Sequence, residues 1–232
     1  MRSTTANSAL WRGFLAGLPF IIVVIPFAIL FGVVATEAGL PLAQVMGFSF
    51  LVIAGASQFV ALQIMQDNAP TLVVLASALA VNLRMAMYSA AITPHLGSQP
   101  LWKRALIAYF LVDQTYNLAA SEYETRPEQS IGEKTLFFFG CMLPICPLWY
   151  LGTWVGAVVG ETIPTNLNID FIVPIAFLAM VAPALRTGAH IAAAFVSIVA
   201  SLALFWVPFN LGLLLAALLA MIVGAEIERR LQ

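Results

Sequence analysis

The chain contains 232 residues, of which 62% are hydrophobic and only 9% are charged, and its mean hydropathy is +0.97. This composition excludes a soluble globular domain and predicts an all-α, multi-pass bundle of transmembrane helices whose solvent is the lipid bilayer. The formal net charge of −1 supplies no strong basic field, so we expect no nucleic-acid partner.

The first apolar run follows Arg2 and Arg12 and superficially resembles a secretory signal. It is longer than the short apolar core of a signal, and no clear small-residue cleavage site follows it. We therefore expect a retained first span.

Apolar segments recur along the rest of the chain. A bilayer core requires about 20 apolar residues per helix, so we predict a polytopic bundle of about seven to eight spans. The segments are 13–36, 42–66, 71–93, 103–121, 134–160, 169–186, 189–207 and 208–225. We expect them to form a single transmembrane domain over residues 1–232.

The distribution of Lys and Arg orients these segments. If all eight cross and the N-terminus is cytoplasmic, seven cations fall inside, while Lys103 and Arg104 fall outside. Those inside are Arg2, Arg12, Arg126, Lys134, Arg186, Arg229 and Arg230. If segment 42–66 instead dips in and returns, the count becomes four inside against five outside, so the rule favours full crossing.

One substantial polar loop, residues 121–134, separates two halves of the chain, 1–122 and 133–232. The stretch "FGVVATEAGLPLAQ" from 31 resembles "VGAVVGETIPTNLN" from 155. This similarity indicates a possible two-fold internal repeat with broken helices, as in many transporters. A chance match between Gly- and Ala-rich sequences is the alternative.

Two charged residues lie away from the predicted helix ends, Arg84 and Asp113. Asn82 and Tyr88 add polar groups near Arg84, and Tyr88 follows it by one helical turn. Polar groups also surround Asp113, namely Gln114, Thr115 and Asn117. Intramembrane charges are costly, so the two residues either neutralise each other within the packing or face a substrate site.

The stretch "AGASQF" interrupts segment 42–66 with small and polar residues. If the helix breaks there, a half-helix beginning near Gly55, Ser57 and Gln58 directs its free N–H groups at a cavity, where a carboxylate is attracted. The alternative is a small-residue packing motif in a continuous helix.

A protease is an alternative, because "GASQ" and "GAHIAAA" resemble the serine and histidine segments of rhomboid-type proteases, with Ser57 as nucleophile and His190 as base. Their separation of 133 residues is far wider than in that family. The chain also has no HExxH metal motif and no GxxxxGK phosphate loop. We expect no metal, no cofactor and no enzymatic activity.

Three motifs together resemble the AzlC family, the large subunit of two-component branched-chain amino acid exporters. They are "IAGASQFV" (53–60), "VNLRMAMYSA" (81–90) and "LVDQTYNLA" (111–119). The resemblance covers nearly the whole chain. Three residues depart from the family pattern: Met85 replaces a His, Ser89 a Gly and Gln114 an acidic residue.

The resemblance implies a multi-pass protein of the inner (cytoplasmic) membrane that exports leucine, isoleucine and valine, with methionine as a further candidate. It also implies a small hydrophobic partner subunit of the AzlD type. A non-transporting scaffold or assembly subunit is the alternative.

The expected substrate-binding residues are Gly55, Ser57, Gln58, Asn82, Arg84, Tyr88, Asp113, Gln114 and Asn117. Arg84 and the half-helix would take the substrate carboxylate, and Asp113 would take the ammonium and carry the coupled proton. The aliphatic side chain would rest against Phe59, Met87 and Tyr88.

Overall fold

The computed structural model describes residues 2–162, 185, 187–208 and 211–231, with side chains from 8 to 230. The helices are α1 (Arg2–Gly17), α2 (Ile21–Glu37), α3 (Leu42–Leu51), α4 (Gly55–Gln66), α5 (Thr71–Leu96), α6 (Leu101–Tyr109), α7 (Asp113–Thr125), α8 (Ile131–Met142), α9 (Cys146–Gly160), α10 (Gly188–Ala203) and α11 (Leu211–Leu231). A 3-10 turn, Leu18–Phe20, joins α1 to α2. This described part of the chain contains no strand, which confirms the all-α class.

Four helical stretches among the described residues are long and apolar enough to cross a membrane. They are Ser8–Glu37, Thr71–Leu96, Ile131–Gly160 and Leu211–Arg230. The first and third, called span 1 and span 2 below, are each 30 residues long. Contacts divide the chain into a first compact unit, residues 1–59 and 79–165, and a second, residues 60–78 and 166–232.

Spans 1 and 2 pack side by side in the first unit and run in the same direction. Gly13 of span 1 lies against Phe137 near the start of span 2, and Gly160 at the end of span 2 lies against Val33. Residue numbers therefore rise together along the pair. We call the end at which both spans begin the cationic end, because Lys and Arg side chains of the first unit lie there.

Small residues allow the close approach of the two spans. Gly152, Gly156 and Gly160 follow one another at four-residue intervals along α9, so they share one face. A Cβ atom added to Gly156 would meet the backbone of Ile29, and one added to Gly32 would meet the backbone of Thr153. Small residues at such spacing are typical of membrane helices in backbone contact.

Segment 42–66 enters the membrane from the end of span 1 as α3. The ring of Phe48 lies 6.3 Å from that of Phe31, whereas Phe50 stacks on Tyr150, at 4.6 Å, closer to the middle of span 2. The Ser49 hydroxyl lies 3.1 Å from that of Thr153. The helix then ends, and Val52 adopts an extended conformation.

The first turn of α4 runs in the direction opposite to α3. Gly55 lies against Phe27, and Phe59 one turn later lies between Phe27 and Phe31, with ring centroids 5.0 and 5.4 Å away. The Gln58 amide reaches back to Ser49 of α3, at 3.2 Å. Residues 42–59 therefore form a re-entrant hairpin within the first unit, whereas the charge count favoured a full crossing of segment 42–66.

Segment 103–121 is a second hairpin, and it enters from the cationic end. Gln99, just before α6, bonds Thr135 near the start of span 2 at 2.8 Å. Tyr109, which ends α6, reaches Tyr150 at 2.9 Å. The last turns of α7 then return, because Tyr123 donates a 2.7 Å hydrogen bond to the Lys134 carbonyl. The expected continuous helix over 103–121 is broken at 110–112.

Helix α5 connects the two hairpins. Arg84 lies beside Asp113 at the start of α7, and His95 lies 3.4 Å from the Lys134 side chain. Helix α5 thus runs toward the cationic end. Two spans that run in the same direction require one membrane crossing between them, and α5 provides it.

This topology gathers the cations of the first unit at one end. Apart from Arg84, every described Lys and Arg side chain of this unit lies where the two spans begin: Arg12, Lys103, Arg104, Arg126 and Lys134. Glu37 and Glu161 mark the other end. The placement of Lys103 and Arg104 apart from the other cations is therefore corrected, because both hairpins turn back.

The second unit contains α10 and α11, which pack against each other with Gly224 next to Ala193. Segment 169–186, with Arg186, lies outside the described residues except at Leu185. The single domain and the repeat halves remain predictions.

Candidate functional site

The two hairpins bring the starts of α4 and α7 to the middle of the spans. Val112, just before α7, is buried in an apolar cluster with Ile145 and Trp149 of span 2. Ile53, just before α4, packs against the same cluster. Ile145 is close to the midpoint of span 2, so both half-helices begin near the centre of the membrane.

The break before α4 is stabilised by local hydrogen bonds. The Ala54 N–H donates to the Val52 carbonyl at 2.9 Å. The Ser57 hydroxyl, in the first turn of α4, donates to the Ala54 carbonyl at 2.9 Å. Ser57 is buried and therefore organises the backbone instead of presenting a free hydroxyl.

The break before α7 repeats this pattern. The Val112 N–H donates to the Phe110 carbonyl at 3.0 Å. Thr115, third in its helix as Ser57 is in α4, lies 2.9 Å from the Val112 carbonyl. Its hydroxyl oxygen also accepts from the Val112 N–H at 3.0 Å. Thr115 was recognised in the sequence only as a polar neighbour of Asp113, and its role in the break was missed.

Both half-helices direct their N-terminal ends toward the centre. The first N–H groups of a helix have no partner within it, and the helix dipole makes this end positive. Helix α7 carries Asp113 at its first position, which offsets the positive end. Helix α4 has no acidic residue in its first turn.

Arg84 and Asp113 form an ion pair at this level, with Nη1 and Oδ2 3.1 Å apart. About a third of each side chain is accessible, 30% for Arg84 and 34% for Asp113. Two further atoms of the pair, Arg84 Nε and Asp113 Oδ1, are shielded from solvent and have no hydrogen-bond partner among the described residues. These two atoms are a donor and an acceptor that the pair leaves without a protein partner.

Two stacked tyrosines lie beside the ion pair. Tyr88 stacks on Tyr116, with ring centroids 4.2 Å apart and planes inclined by 12°. The Tyr88 hydroxyl lies close to the Asp113 carboxylate. The expected shared face of Arg84 and Tyr88 on α5 is thus directed at the start of α7.

A buried polar network lies beneath the start of α4. Gln58 Nε2 and Trp149 Nε1 each donate to the Ser49 hydroxyl oxygen at 3.2 Å. Because both lone pairs of the Ser49 oxygen accept these bonds, the Ser49 hydroxyl donates its own hydrogen to the Thr153 hydroxyl, 3.1 Å away. Sequence reasoning missed Ser49, Trp149 and Thr153. Ser49 is the single hydroxyl in the apolar run "MGFSFLV", which was the available signal.

The network leaves one atom of the Gln58 amide without a partner. Gln58 is 1% exposed, and its Oε1 has no partner among the described residues. If the O and N atoms of the Gln58 amide are exchanged, Ser49 donates to Oε1 and the NH2 group is left without a partner. At the positive end of α4 this second arrangement presents a hydrogen-bond donor to an anion.

The other expected site residues have different environments. Asn82 Oδ1 is a further shielded atom without a partner in the described structure. Gln114 is half-buried, whereas Asn117 is exposed. Of the residues expected to hold an aliphatic side chain, Phe59 is buried and Met87 is 67% exposed.

Within the described residues, no group of three or more His, Cys, Asp or Glu is placed to hold a metal ion. The hydroxyl of Ser57, which the protease alternative would require as its nucleophile, donates to the Ala54 carbonyl. The geometry instead offers an ion pair with spare hydrogen-bonding atoms and a half-helix without a compensating acid. Together with the spans, this defines a multi-pass helical membrane protein with a polar, re-entrant centre.

Sequence similarity to known proteins supports this class. The family model described as AzlC protein matches residues 19–163, so the chain belongs to the AzlC family. An uncharacterized membrane protein of Archaeoglobus fulgidus is 26% identical over 198 residues, 84% of each chain. The inner membrane protein YgaZ of Escherichia coli is 26% identical over 203 residues, 82% of this chain and 80% of its own.

A shorter similarity connects the chain to an uncharacterized membrane protein of Helicobacter pylori. It is 28% identical over 134 residues, 56% of this chain and 55% of that protein. No solved structure matches the chain.

Proposed function

We propose that the protein exports branched-chain amino acids, with methionine as a further candidate, across the cytoplasmic membrane by alternating access. The observation that carries this proposal is the Arg84–Asp113 pair at the centre of the membrane, with Arg84 Nε and Asp113 Oδ1 left unpaired. A zwitterionic substrate supplies acceptors on its carboxylate and donors on its ammonium, which are the two kinds of group that these atoms lack.

Both charges of the substrate require partners, since neither crosses hydrocarbon cheaply. The carboxylate binds Arg84 and the N-terminal end of α4, where the NH2 group of Gln58 donates to it in the second amide arrangement. The ammonium binds Asp113, with Gln114, Asn117 and Asn82 as polar neighbours. Tyr88 contacts the aliphatic part of the substrate from one side, and Gly55 lets Phe27 and Trp149 pack closely against the start of α4.

Proton-motive force drives export in this proposal, and Asp113 is the proton carrier. It is the one carboxylate of the first unit that the described structure brings to the middle of the spans. Its release from Arg84 during transport provides the change in environment that proton uptake requires.

The orientation follows from the charges. Cations accumulate on the cytoplasmic side of membrane proteins, so the cationic end faces the cytoplasm. The name of the Escherichia coli relative, an inner membrane protein, supports the same membrane. A small hydrophobic subunit of the AzlD type completes the exporter.

A non-transporting scaffold or assembly subunit is the competing function, because an ion pair also stabilises helix packing by itself. The exchange Arg84→Asp with Asp113→Arg separates the two roles. It preserves a structural pair but reverses the charges offered to a zwitterion. Export retained by the exchanged variant would contradict the proposed site.

The principal experiment measures efflux of preloaded labelled leucine from cells that carry the chain with and without the small subunit. We expect efflux to require both proteins and to be lost in Arg84→Ala. Arg230→Ala is the matched control, because Arg230 is exposed and pairs only locally with Glu226. Absence of leucine efflux at normal membrane expression would contradict the proposed substrate class.

A further inference from the structure

A cavity lies between α5 and α6, and neither Arg84 nor Asp113 is part of its lining. Its volume is about 120 Å³. It is lined by Ser89, Ile92, Thr93, Leu96, Gly97, Arg104, Ile107, Ala108 and Leu111. Four of these side chains are buried and aliphatic, so the interior is apolar.

Arg104 provides the single charge of this lining. Among the described residues no carboxylate lies within ion-pair distance of its guanidinium, which is therefore available to an anion. The neighbouring Lys103 is not part of the lining, and its Nζ lies over the ring of Trp102, 5.5 Å from the centroid.

The Arg104 end of the cavity lies at the level of the membrane interface on the cationic side. Helix α6 begins there, next to the start of span 2. Trp102 is 62% exposed in its first turn, which is typical of tryptophans at the boundary between headgroups and hydrocarbon. Arg104 is thus at headgroup depth, and the aliphatic lining continues into the acyl region.

We propose that this cavity binds an anionic phospholipid, with the phosphate on Arg104 and part of one acyl chain between α5 and α6. Basic pockets between membrane helices on the cytoplasmic side recognise such headgroups. A cavity of about 150 Å³ holds benzene, so this space suits a short run of chain carbons, and the remaining ligand extends into the bilayer.

The lining favours a lipid over an amino acid. It contains no Asp or Glu to take an ammonium group. The nearby carbonyls of Ser89 and Thr93 already accept hydrogen bonds, from the Thr93 hydroxyl at 2.6 Å and the Gly97 N–H at 2.7 Å. A phosphodiester with an acyl chain requires only the cation and the apolar surface that are present.

The test compares phosphatidylglycerol with phosphatidylcholine bound to the purified full-length chain in detergent, measured by native mass spectrometry. We expect selective retention of phosphatidylglycerol. Arg104→Gln should weaken that retention about fivefold, the effect of one cation near an anionic surface. Lys103→Gln is the matched control, one position away with the same charge removed, and should change retention much less.

The acyl contact is tested separately. Ala108→Leu fills the cavity without changing charge and should reduce retention, whereas Ala105→Leu on the same helix, outside the lining, should not. Equal retention of both lipids, or equal losses in the two charge variants, would overturn the site. Displacement of the lipid by added leucine would also overturn it, because the cavity would then belong to an amino acid.

Discussion

The Tyr109 hydroxyl donates a 2.6 Å hydrogen bond to the Phe50 carbonyl and so joins the inner ends of the two re-entrant hairpins. Tyr109 ends α6 and Phe50 lies near the end of α3, which enter from opposite ends. The Tyr150 hydroxyl, 2.9 Å from that of Tyr109, ties the same point to span 2. The two breaks are thereby held at a common depth.

Removing this bond should lower stability. Tyr109→Phe keeps the ring but leaves the Phe50 carbonyl without its donor, at a cost of about 1 kcal/mol. The measurement is thermal unfolding of the purified protein in detergent. Tyr150→Phe retains the contact between the hairpins and should destabilise less. Equal destabilisation by both variants would show that the hairpin contact itself contributes nothing.

The topology predicts which loops share a side of the membrane. We expect Ser98→Cys and Glu128→Cys to react with a membrane-impermeant maleimide from one side, and Thr162→Cys from the other. The native Cys141 and Cys146 are buried, so they contribute little background labelling. If segment 103–121 crossed fully, Ser98→Cys and Glu128→Cys would instead label from opposite sides.

The contact between the spans predicts opposite effects of two glycine substitutions. Gly156→Ala forces a Cβ atom into the Ile29 backbone and should destabilise the protein, as overpacking does, by about 1–3 kcal/mol. Gly47 in α3 has open space around it, so Gly47→Ala should stabilise by up to about 1 kcal/mol through helix propensity. Thermal unfolding in detergent measures both, and a tolerated Gly156→Ala would argue against close packing.

The network beneath α4 predicts a cost for losing one hydroxyl. Ser49→Ala leaves Trp149 Nε1 and the Gln58 amide without the hydroxyl that both contact, and each buried unsatisfied group costs about 1–3 kcal/mol. Ser121→Ala, which removes an exposed hydroxyl, is the control and should be neutral. Equal unfolding temperatures for the two variants would contradict the network.

Asp113→Asn tests the proton-coupling role. The variant keeps a hydrogen-bonding side chain but cannot take up a proton, so gradient-driven leucine export should be lost while exchange of leucine down its own gradient continues. Efflux and counterflow are measured in the same cells. Loss of both activities would contradict a proton-carrying role separable from binding, and Asp113 would then act only in holding the ammonium group or in packing.

The sequence predicts the membrane class, the charged pair and the interruption of segment 42–66, because each depends on local composition. It does not predict that this segment turns back. A predominantly apolar segment of 25 residues has the same hydropathy whether it crosses or returns, and the direction is set by contacts such as Phe59 with Phe31. Those contacts join residues that are distant in sequence.

The break at 110–112 was missed for a related reason. Phe110, Leu111 and Val112 are apolar and read as helix interior, while the residue that closes the turn, Thr115, lies beyond the break. The Ser49–Trp149 bond was equally hidden, because its partners are 100 residues apart.

The parallel arrangement of spans 1 and 2 has a consequence for biosynthesis. At about 5–20 residues per second, span 2 is completed roughly 6–25 s after span 1. Throughout that interval the nascent chain exposes the Gly32 surface of span 1 to lipid or to insertion factors, since its partner surface on α9 is not yet made. Both hairpins are therefore synthesised before the pair of spans that supports them is complete. They pack against that pair only after Gly156 has been synthesised.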